Sequence, residues 1–341
     1  MSRVLIATDA WHPQVNGVVR CLEYVGLGLG QFGHQAVFLT PERFWTMPMP
    51  TYPEIRLSLA PLGAIADFIS KSQADHIHIA TEGPLGLMTR IHCVSHQLGF
   101  TTSYHTRYPE YVAARLPVPP DWSYAYLRWF HSAAATTLVP TRSVEKDLTA
   151  HGFRNLTVWA RGVDAVQFSP GEPTMFTDRE GPILLHVGRV AVEKNVEAFL
   201  KLDVPGTKVV VGDGPQLEEL RLRYPQAVFT GTLVGSPLVA AYRSADTFVF
   251  PSRTDTFGNV MIEALACGVP VAAYPVMGPV DVLTDPEAGA MSEDLGAAVR
   301  KALTLSRSAA RKHAEKFTWS ESTRQFVETL VPARPMAIVA A

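Results

Sequence analysis

Short apolar runs of strand length alternate along the chain with longer segments of helical length. Val4–Ala7, Ala36–Leu39, His76–Ala80, Thr101–Tyr104, Thr136–Val139 and Leu156–Trp159 form one series. Ile183–Val187, Lys208–Val211, Val228–Thr230, Thr247–Phe250 and Val271–Ala273 form a second. Runs that are apolar throughout, rather than at every other position, suit parallel strands covered by helices on both faces. Segments such as Gln216–Arg223 and Asn259–Ala266 supply helices between them. Two such series predict two α/β domains, each with a parallel sheet.

A proline and glycine cluster from Phe168 through Pro170, Gly171 and Pro173 to Gly181 and Pro182 separates the series, because it interrupts any regular element. The expected domains are 1–168 and 169–316, followed by a C-terminal segment, 317–341. From Glu293 to Leu330 the pattern predicts helices with Arg311, Lys312 and Lys316 on a polar side, and an Ala-rich frayed tail.

Composition narrows the function without naming it. A chain of 341 residues that is 47% apolar suits two domains. A formal charge of −2 gives no general electrostatic reason to bind nucleic acid, so small ligands are the expected partners. Cys21, Cys93 and Cys267 are far apart and form no CxxC pair, which argues against a zinc site or a disulfide framework. Val4–Ala7 is shorter than the apolar region of a signal peptide, and no run reaches the roughly 18 to 20 residues of a membrane span. The expectation is a cytoplasmic protein, with contact at the inner face of the membrane left open.

Several loops carry candidate chemistry. Gly28, Gly30 and Gly33 match the dinucleotide-binding GxGxxG spacing, but they fall late in a helical segment instead of turning from a strand into a helix. They are read as helix-end glycines packed near the sheet. The loop after the first strand, from Asp9 to Asn16 and Gly17, is a better phosphate or sugar site, because Gly17 admits a ligand to the backbone at a helix start. A plain βα turn is the alternative. In the second series, Gly188 and Arg189 close a strand, and Lys194 follows five residues later. Two cations at a strand's carboxyl end suit a diphosphate, against a solvated pair with Glu193 in a local salt bridge.

The richest block runs from Phe250 to Pro270. It places Asp255 in a loop and Glu263, eight residues on, one turn into a helix whose first amides come from Phe257 to Asn259. Such a helix start favours an anion, and nearby carboxylates accept hydrogen bonds from sugar hydroxyls. The alternative makes Asp255 a helix cap and Glu263 a surface residue.

With these motifs assembled, the chain resembles the retaining GT-B-fold glycosyltransferases of family four. The likeness is carried in order by Asn16–Val18, Ser103–Thr106, Gly162–Asp164 with Phe168 and Pro170, His186–Arg189, Glu193–Lys194, Gly212–Pro215, Phe229–Gly231 and the Asp255–Pro270 block. It implies a GT-B fold of two facing Rossmann-like domains with a cleft between them, an acceptor-side N-terminal domain, a nucleotide-sugar-binding C-terminal domain, and a C-terminal helix crossing back to the first. It also implies catalytic roles for His105, Asp255, Arg189 and Lys194. Arg189 and Lys194 would neutralise the leaving diphosphate. Glu263 would hold the ribose, Leu233 would lie beside the base, and Asn16, Gly17, Gly188, Thr256, Phe257, Gly258 and Asn259 would complete donor binding. His105 would position the sugar or stabilise the transition state.

Where the family has Glu, seven residues, then Glu, this chain has Asp255 first. The shorter side chain weakens any role as a covalent nucleophile. The resemblance implies same-face transfer instead. No Asp-x-Asp pair occurs, so neither a divalent metal nor another cofactor is expected, and the nucleotide sugar enters as substrate.

Trp45, Met47, Met49 and Tyr52 lie in a predicted apolar loop. Trp122, Tyr124, Tyr126, Leu127, Trp129 and Phe130 follow the proline-rich turn Leu116–Pro120. Near Arg43, Arg115 and Arg128 they suit either a membrane interface or core packing. Thr81–Pro84, Ser103–Arg107, Arg161–Asp164 and His186–Lys194 resemble bacterial glycolipid glycosyltransferases and sulfoquinovosyl-diacylglycerol synthase-like plastid enzymes. Other segments resemble α-mannosyltransferases. The expected activity moves a hexose such as glucose, mannose or glucuronic acid to an acceptor hydroxyl, with a membrane lipid such as diacylglycerol favoured over a glycan. The alternatives are an α-mannosyltransferase with a polysaccharide acceptor, a nucleotide-sugar epimerase, and an inactive sugar-nucleotide-binding module.

Overall fold

The apolar runs build two parallel six-stranded sheets in a computed structural model that describes residues 1–14, 16–49, 52–113 and 119–334. One unit comprises Met1–Ala160 with the segment from Trp319, and the other Arg161–Thr318.

In the first unit, β1 (Ser2–Ala7) pairs with β2 (His34–Leu39). A hairpin, β3 (Thr46–Met49) and β4 (Tyr52–Ser58), pairs antiparallel outside this sheet. Then β5 (His76–Ile79), β6 (Thr101–Ser103), β7 (Thr137–Val139) and β8 (Leu156–Val158) complete the order β2-β1-β5-β6-β7-β8. Successive side chains on a strand point to opposite faces. Accordingly Leu5 and Ala7 join Ile65, Leu85 and Phe130 in one core, while Val4 and Ile6 join Leu22, Trp159 and Phe326 in another.

The helix Trp319–Glu328 belongs to this unit: Trp159 Nε1 donates to the Ser322 carbonyl at 2.9 Å, and Trp319 stacks on Tyr24 with centroids 4.6 Å apart. Gly28 ends the helix Gly17–Gly28 against it, and a Cβ at Gly28 would lie 2.5 Å from Thr323 Oγ1. The glycines of the GxGxxG spacing thus serve a helix end. Gly28 packs against another helix rather than the sheet.

The second unit holds β9 (Ile183–Val187), β10 (Thr207–Val211), β11 (Val228–Gly231), β12 (Thr247–Phe250), β13 (Val271–Ala273) and β14 (Gly289–Met291), in the order β11-β10-β9-β12-β13-β14. Leu185 and Val187 face a core with Tyr242 and Ile262, and Leu184 faces one with Phe199 and Val299.

Four expectations need correction or bounding. The segment read as an apolar loop forms the β3–β4 hairpin, whose strands the prolines at 48 and 53 obscure. Gly289–Met291 is a strand without the β-branched signature that marks the others. Arg311 is not on a solvated face: it donates to the carbonyls of Ala266 at 2.8 Å, Phe168 at 3.0 Å and Ala165 at 3.2 Å, holding 165–168 to the second unit. Arg115, Leu116–Val118 and the tail from Pro335 lie outside the described residues, as do the side chains of Met49 and Tyr52. Among the described residues, no helix is long and apolar enough to cross a membrane.

Candidate active site

The chain runs outward from β9 to β11 and returns to β12 on the other side of β9, so the direction of winding reverses between β9 and β12. In open α/β sheets, ligands bind outside the strands' carboxyl ends at this reversal. The β9 end delivers Gly188 and Arg189, and the β12 end delivers the loop to Asp255. Gly188 N donates to the Val211 carbonyl at 3.0 Å. A Cβ at Gly212, where φ is +140°, would lie 1.9 Å from the Gly188 carbonyl oxygen. Only glycine lets these two loops meet backbone to backbone.

Lys194 ends a short turn, Val192–Lys194, closed by Asn195 in the left-handed conformation. Asn195 Nδ2 donates to the Pro251 carbonyl at 3.1 Å, while Ser252 and Thr254 hydroxyls donate to the Glu193 carbonyl at 3.3 and 3.2 Å. This stitching brings Lys194 Nζ onto Asp255 Oδ1, with the two side chains only 22% and 15% exposed. Lys194 therefore pairs with the loop carboxylate sixty-one residues away. Asp255 does not cap the next helix. Its Oδ2 is buried without a hydrogen-bond partner among the described residues.

The helix Asn259–Ala266 starts at Gly258, whose φ of +88° favours glycine and which carries no side chain to cap it. The positive end of the helix dipole lies at this first turn. Thr256 and Phe257 are buried, Gly258 and Asn259 half-buried. Glu263 is not a surface residue: it is 6% exposed and accepts a hydrogen bond from the Tyr242 hydroxyl at 2.9 Å on Oε2. Leu233 is half-buried against the core just past β11. Gly188, Lys194, Asp255 and the start of this helix thus gather at one end of one sheet, with half-buried Arg189 directly after Gly188.

One member of this end was not singled out as chemistry. His186, in β9, is fully buried and bonded through Nδ1 to the Val249 carbonyl at 3.2 Å. Its Nε2 lacks a hydrogen-bond partner among the described residues and lies 3.5 Å from where a Cβ on Gly188 would stand. Burial, with Lys194 adding to it, pulls its pKa down to about 4, so the ring is neutral. A histidine inside an otherwise apolar strand was the available signal.

The remaining residues lie in the first unit. Asn16 caps the helix Gly17–Gly28, its Oδ1 accepting from Val18 N and Val19 N at 3.0 Å each, and Gly17 is exposed at the helix start. Asp9 is committed elsewhere: it accepts from Thr81 Oγ1 at 2.9 Å, Leu85 N at 2.8 Å and Gly86 N at 3.2 Å. His105 follows β6; its Nε2 lies 2.9 Å from Ser103 Oγ, which lies 3.1 Å from Nε2 of buried His78. His78, Tyr242 and His131 carry no mark in the sequence, and Glu82, part of the Thr81–Pro84 segment, gives no sign there of its buried pairing with His131 Nε2 at 3.2 Å. Such groups are recognisable only once the strands are assembled.

Two family models match: Glycosyltransferase Family 4 over residues 15–167 and Glycosyl transferases group 1 over 181–308. A GDP-mannose-dependent alpha-mannosyltransferase of Mycobacterium tuberculosis is 32% identical over 84% of this chain and 82% of its own length. The chain belongs to the family-four glycosyltransferases. It is also 32% identical, over 86% of its length, to the sulfoquinovosyl transferase of Arabidopsis thaliana, of which it spans 66%. To the alpha-monoglucosyldiacylglycerol synthase of Streptococcus pneumoniae it is 25% identical, over 88% of this chain and 78% of that one.

Among solved structures, sucrose-phosphate synthase from Thermosynechococcus elongatus superposes with a TM-score of 0.78 at 19% identity, covering 96% of this chain and 98% of that one. Anabaena HepE in complex with UDP-glucose gives 0.72 at 16%, covering 96% and 99%. The glycosyltransferase accordingly has the GT-B fold, with two Rossmann-like α/β domains.

Proposed function

We propose that this glycosyltransferase moves a hexose, with retention of anomeric configuration, from a nucleoside-diphosphate sugar to a hydroxyl of a membrane lipid such as diacylglycerol, giving a glycolipid. The observation that carries the reading is the Lys194–Asp255 pair at the β9–β12 reversal, with Asp255 Oδ2 unpartnered among the described residues just before the helix that starts at Gly258. Arg189 and Lys194 supply the positive charge that offsets the leaving diphosphate, so no metal is required. Stabilisation that grows as charge develops on the leaving group lowers the barrier itself. Glu263, steadied by Tyr242, takes the ribose hydroxyls, and Leu233 lies beside the base. Asp255 Oδ2 accepts from a hydroxyl of the sugar. The roles of Asn16, Gly17 and His105 toward the sugar and phosphates rest on the family pattern.

In the step itself, the bond from the anomeric carbon to the diphosphate oxygen breaks. The acceptor oxygen bonds to that carbon on the same face, and its proton passes to the departing diphosphate. Asp255 is a poor covalent nucleophile because its side chain is one methylene shorter than the Glu of the family pattern, and displacement needs an in-line position near the reacting carbon. A trapped glycosyl adduct on Asp255 would replace this route with double displacement.

A lipid acceptor is supported by the diacylglycerol named in one relative and by exposed apolar side chains in the first unit. Trp45 is 87% and Trp122 71% exposed, with Met47 and Trp129 about half exposed, while Tyr124, Leu127 and Phe130 of the same helix are buried. The helix Pro120–Ser132 thus divides between core and surface, and its exposed aromatics suit contact with the cytoplasmic face of a membrane. A mannosyl donor is the second reading, favoured by the mycobacterial relative.

The test incubates the protein with UDP-glucose, UDP-glucuronate or GDP-mannose, with and without dioleoylglycerol in phosphatidylglycerol vesicles, and with EDTA. Lipid-dependent nucleotide release that survives EDTA, with an α-linked product, is expected. Epimerised donor formed without acceptor would replace this reading with an epimerase, and donor binding without turnover would make the chain an inactive module.

A further inference from the structure

Towards its carboxyl end the first sheet holds a row of buried polar groups that the proposed reaction does not use. His78 on β5 and Thr101 and Ser103 on β6 are each fully buried. Thr101 Oγ1 lies 2.8 Å from His78 Nδ1, and His78 Nε2 lies 3.1 Å from Ser103 Oγ. The parallel register accounts for the row: His78 stands opposite Thr101, while Thr101 and Ser103, alternate residues of one strand, point to one face. His105, two residues on and half-buried, brings its Nε2 to 2.9 Å from Ser103 Oγ. The Trp159 ring meets both imidazoles at steep angles, 78° to His78 and 69° to His105, and Phe326 packs against His78 as well. Rings packed in this way have little freedom to turn.

The protons give the row a direction. A buried hydroxyl needs an acceptor for its hydrogen, and among the described residues Thr101 Oγ1 bonds only His78 Nδ1, so it donates there. The His78 ring then carries its own proton on Nε2 and donates it to Ser103 Oγ, since a second N–H would point at the Thr101 hydrogen. Ser103 has one proton to give, and His105 Nε2 at 2.9 Å is nearer than the Ala80 carbonyl at 3.3 Å. His105 accordingly accepts at Nε2 and bears its own proton on Nδ1. Three hydrogen bonds of one sense polarise one another, which strengthens the last.

We infer that Ser103 and His78 are positioning residues of the transfer: they lock the His105 ring with its proton on Nδ1, so that it meets the donor sugar as a hydrogen-bond donor. The inference rests on the transferase reading, which brings the sugar to His105, and deepens it. With Nε2 occupied by Ser103 and Nδ1 protonated, the ring has no lone pair for the acceptor's proton, in keeping with passage of that proton to the departing diphosphate. Which nitrogen of a histidine faces its ligand with a proton is set by the bond made at the other.

The test uses the full chain with histidine labelled by 15N in the ring, and reads long-range proton–nitrogen correlations at about pH 8, above the ordinary imidazole range. His105→Gln identifies the His105 signals by their loss. The wild-type ring should show its proton on Nδ1, Ser103→Ala should move it towards Nε2, and Ser103→Thr, which keeps the hydroxyl, should hold it in place. With the active donor, Ser103→Ala should lower kcat about tenfold, the loss of one orienting hydrogen bond, with the donor KM within about twofold. Ser103→Thr should recover most of that loss. A proton on Nε2 of wild-type His105 overturns the inference without need of a variant. So does an unchanged proton position in Ser103→Ala, and so does a moved proton with unchanged kcat.

If the wild type transfers no sugar from any donor, the transferase reading has failed on its own, and the spectra alone judge the row. A proton on Nδ1 of His105 that leaves it in Ser103→Ala supports control by Ser103, and one that stays overturns it.

Discussion

The two sheets present their carboxyl ends at equivalent reversals of winding, β9–β12 in the second unit and β1–β5 in the first, and they treat polar groups there in opposite ways. At β1–β5, Asp9 takes three hydrogen bonds from Thr81, Leu85 and Gly86, and Asn16 caps its own helix. At β9–β12, His186 Nε2 and Asp255 Oδ2 stay unpartnered among the described residues, and the helix from Asn259 has a glycine, Gly258, at its cap position. At the first reversal the Asp9 and Asn16 side chains are spent on neighbouring backbone, leaving exposed Gly17 as its open point, whereas the second leaves side-chain groups for a ligand to satisfy. Shared topology therefore does not mean shared use, and the satisfied or unsatisfied state of the strand ends tells the two apart.

The largest effect expected from breaking this contrast is on turnover. Arg189→Ala removes a cation from the open end and should lower kcat by about a thousandfold, roughly 4 kcal/mol of transition-state stabilisation, with the melting temperature little changed. Steady-state kinetics with the active donor check it. Full activity in the variant would remove Arg189 from the site.

A smaller effect separates the ends by pH. His186 has its pKa pulled from 6.5 to about 4 by burial, so the unfolded chain binds its proton first as pH falls. Its contribution is complete above pH 6.5 and is lost between pH 6.5 and about 4, so stability rises with pH across that window. The shift corresponds to roughly 3 kcal/mol. Between pH 7 and pH 4.5 the urea midpoint of the wild type should fall relative to that of His186→Phe, whose side chain takes up no proton in either state. Parallel curves would show that the ring titrates normally.

Most of the frame was legible in the sequence because parallel strands buried on both faces leave unmistakable apolar runs. Ile183–Val187, Thr247–Phe250 and Val271–Ala273 match residue for residue. Gly289–Met291 was not legible, since its three residues carry no β-branched side chain, and the β3–β4 hairpin hid behind prolines. At the site, the loop positions of Arg189, Lys194 and Asp255 follow from spacing, but the Lys194–Asp255 pair is a tertiary fact made by Asn195, Ser252 and Thr254. Arg311 was misread for a related reason: its helix pattern is amphipathic, yet three carbonyls from other segments draw the guanidinium inward.

At the β1–β5 end, Asp9→Ala should cost about 2 kcal/mol by leaving the Leu85 and Gly86 amides and the Thr81 hydroxyl without their acceptor. Neighbouring Gly83 leaves little room for rearrangement, since even a Cβ there would stand 2.5 Å from the Asp9 carboxyl carbon. Chemical denaturation measures the loss. If Asp9 belongs only to the fold, kcat per folded molecule stays at the wild-type value; a drop in donor affinity at equal folding would place Asp9 in the donor site after all.

The smallest effect concerns the one position that departs from the family pattern. Asp255→Glu adds a methylene between the backbone and a carboxylate that already meets Lys194. The longer side chain can keep the pair while moving its second oxygen relative to the sugar, so stability should change by less than about 1 kcal/mol. Donor choice should respond more than rate. The ratio of kcat/KM between UDP-glucose and GDP-mannose is expected to shift severalfold, because a displaced acceptor oxygen meets hydroxyls of different configuration on the two sugars. An unchanged ratio with unchanged kcat/KM would mean that Asp255 Oδ2 does not face the sugar and that its only task is to hold Lys194.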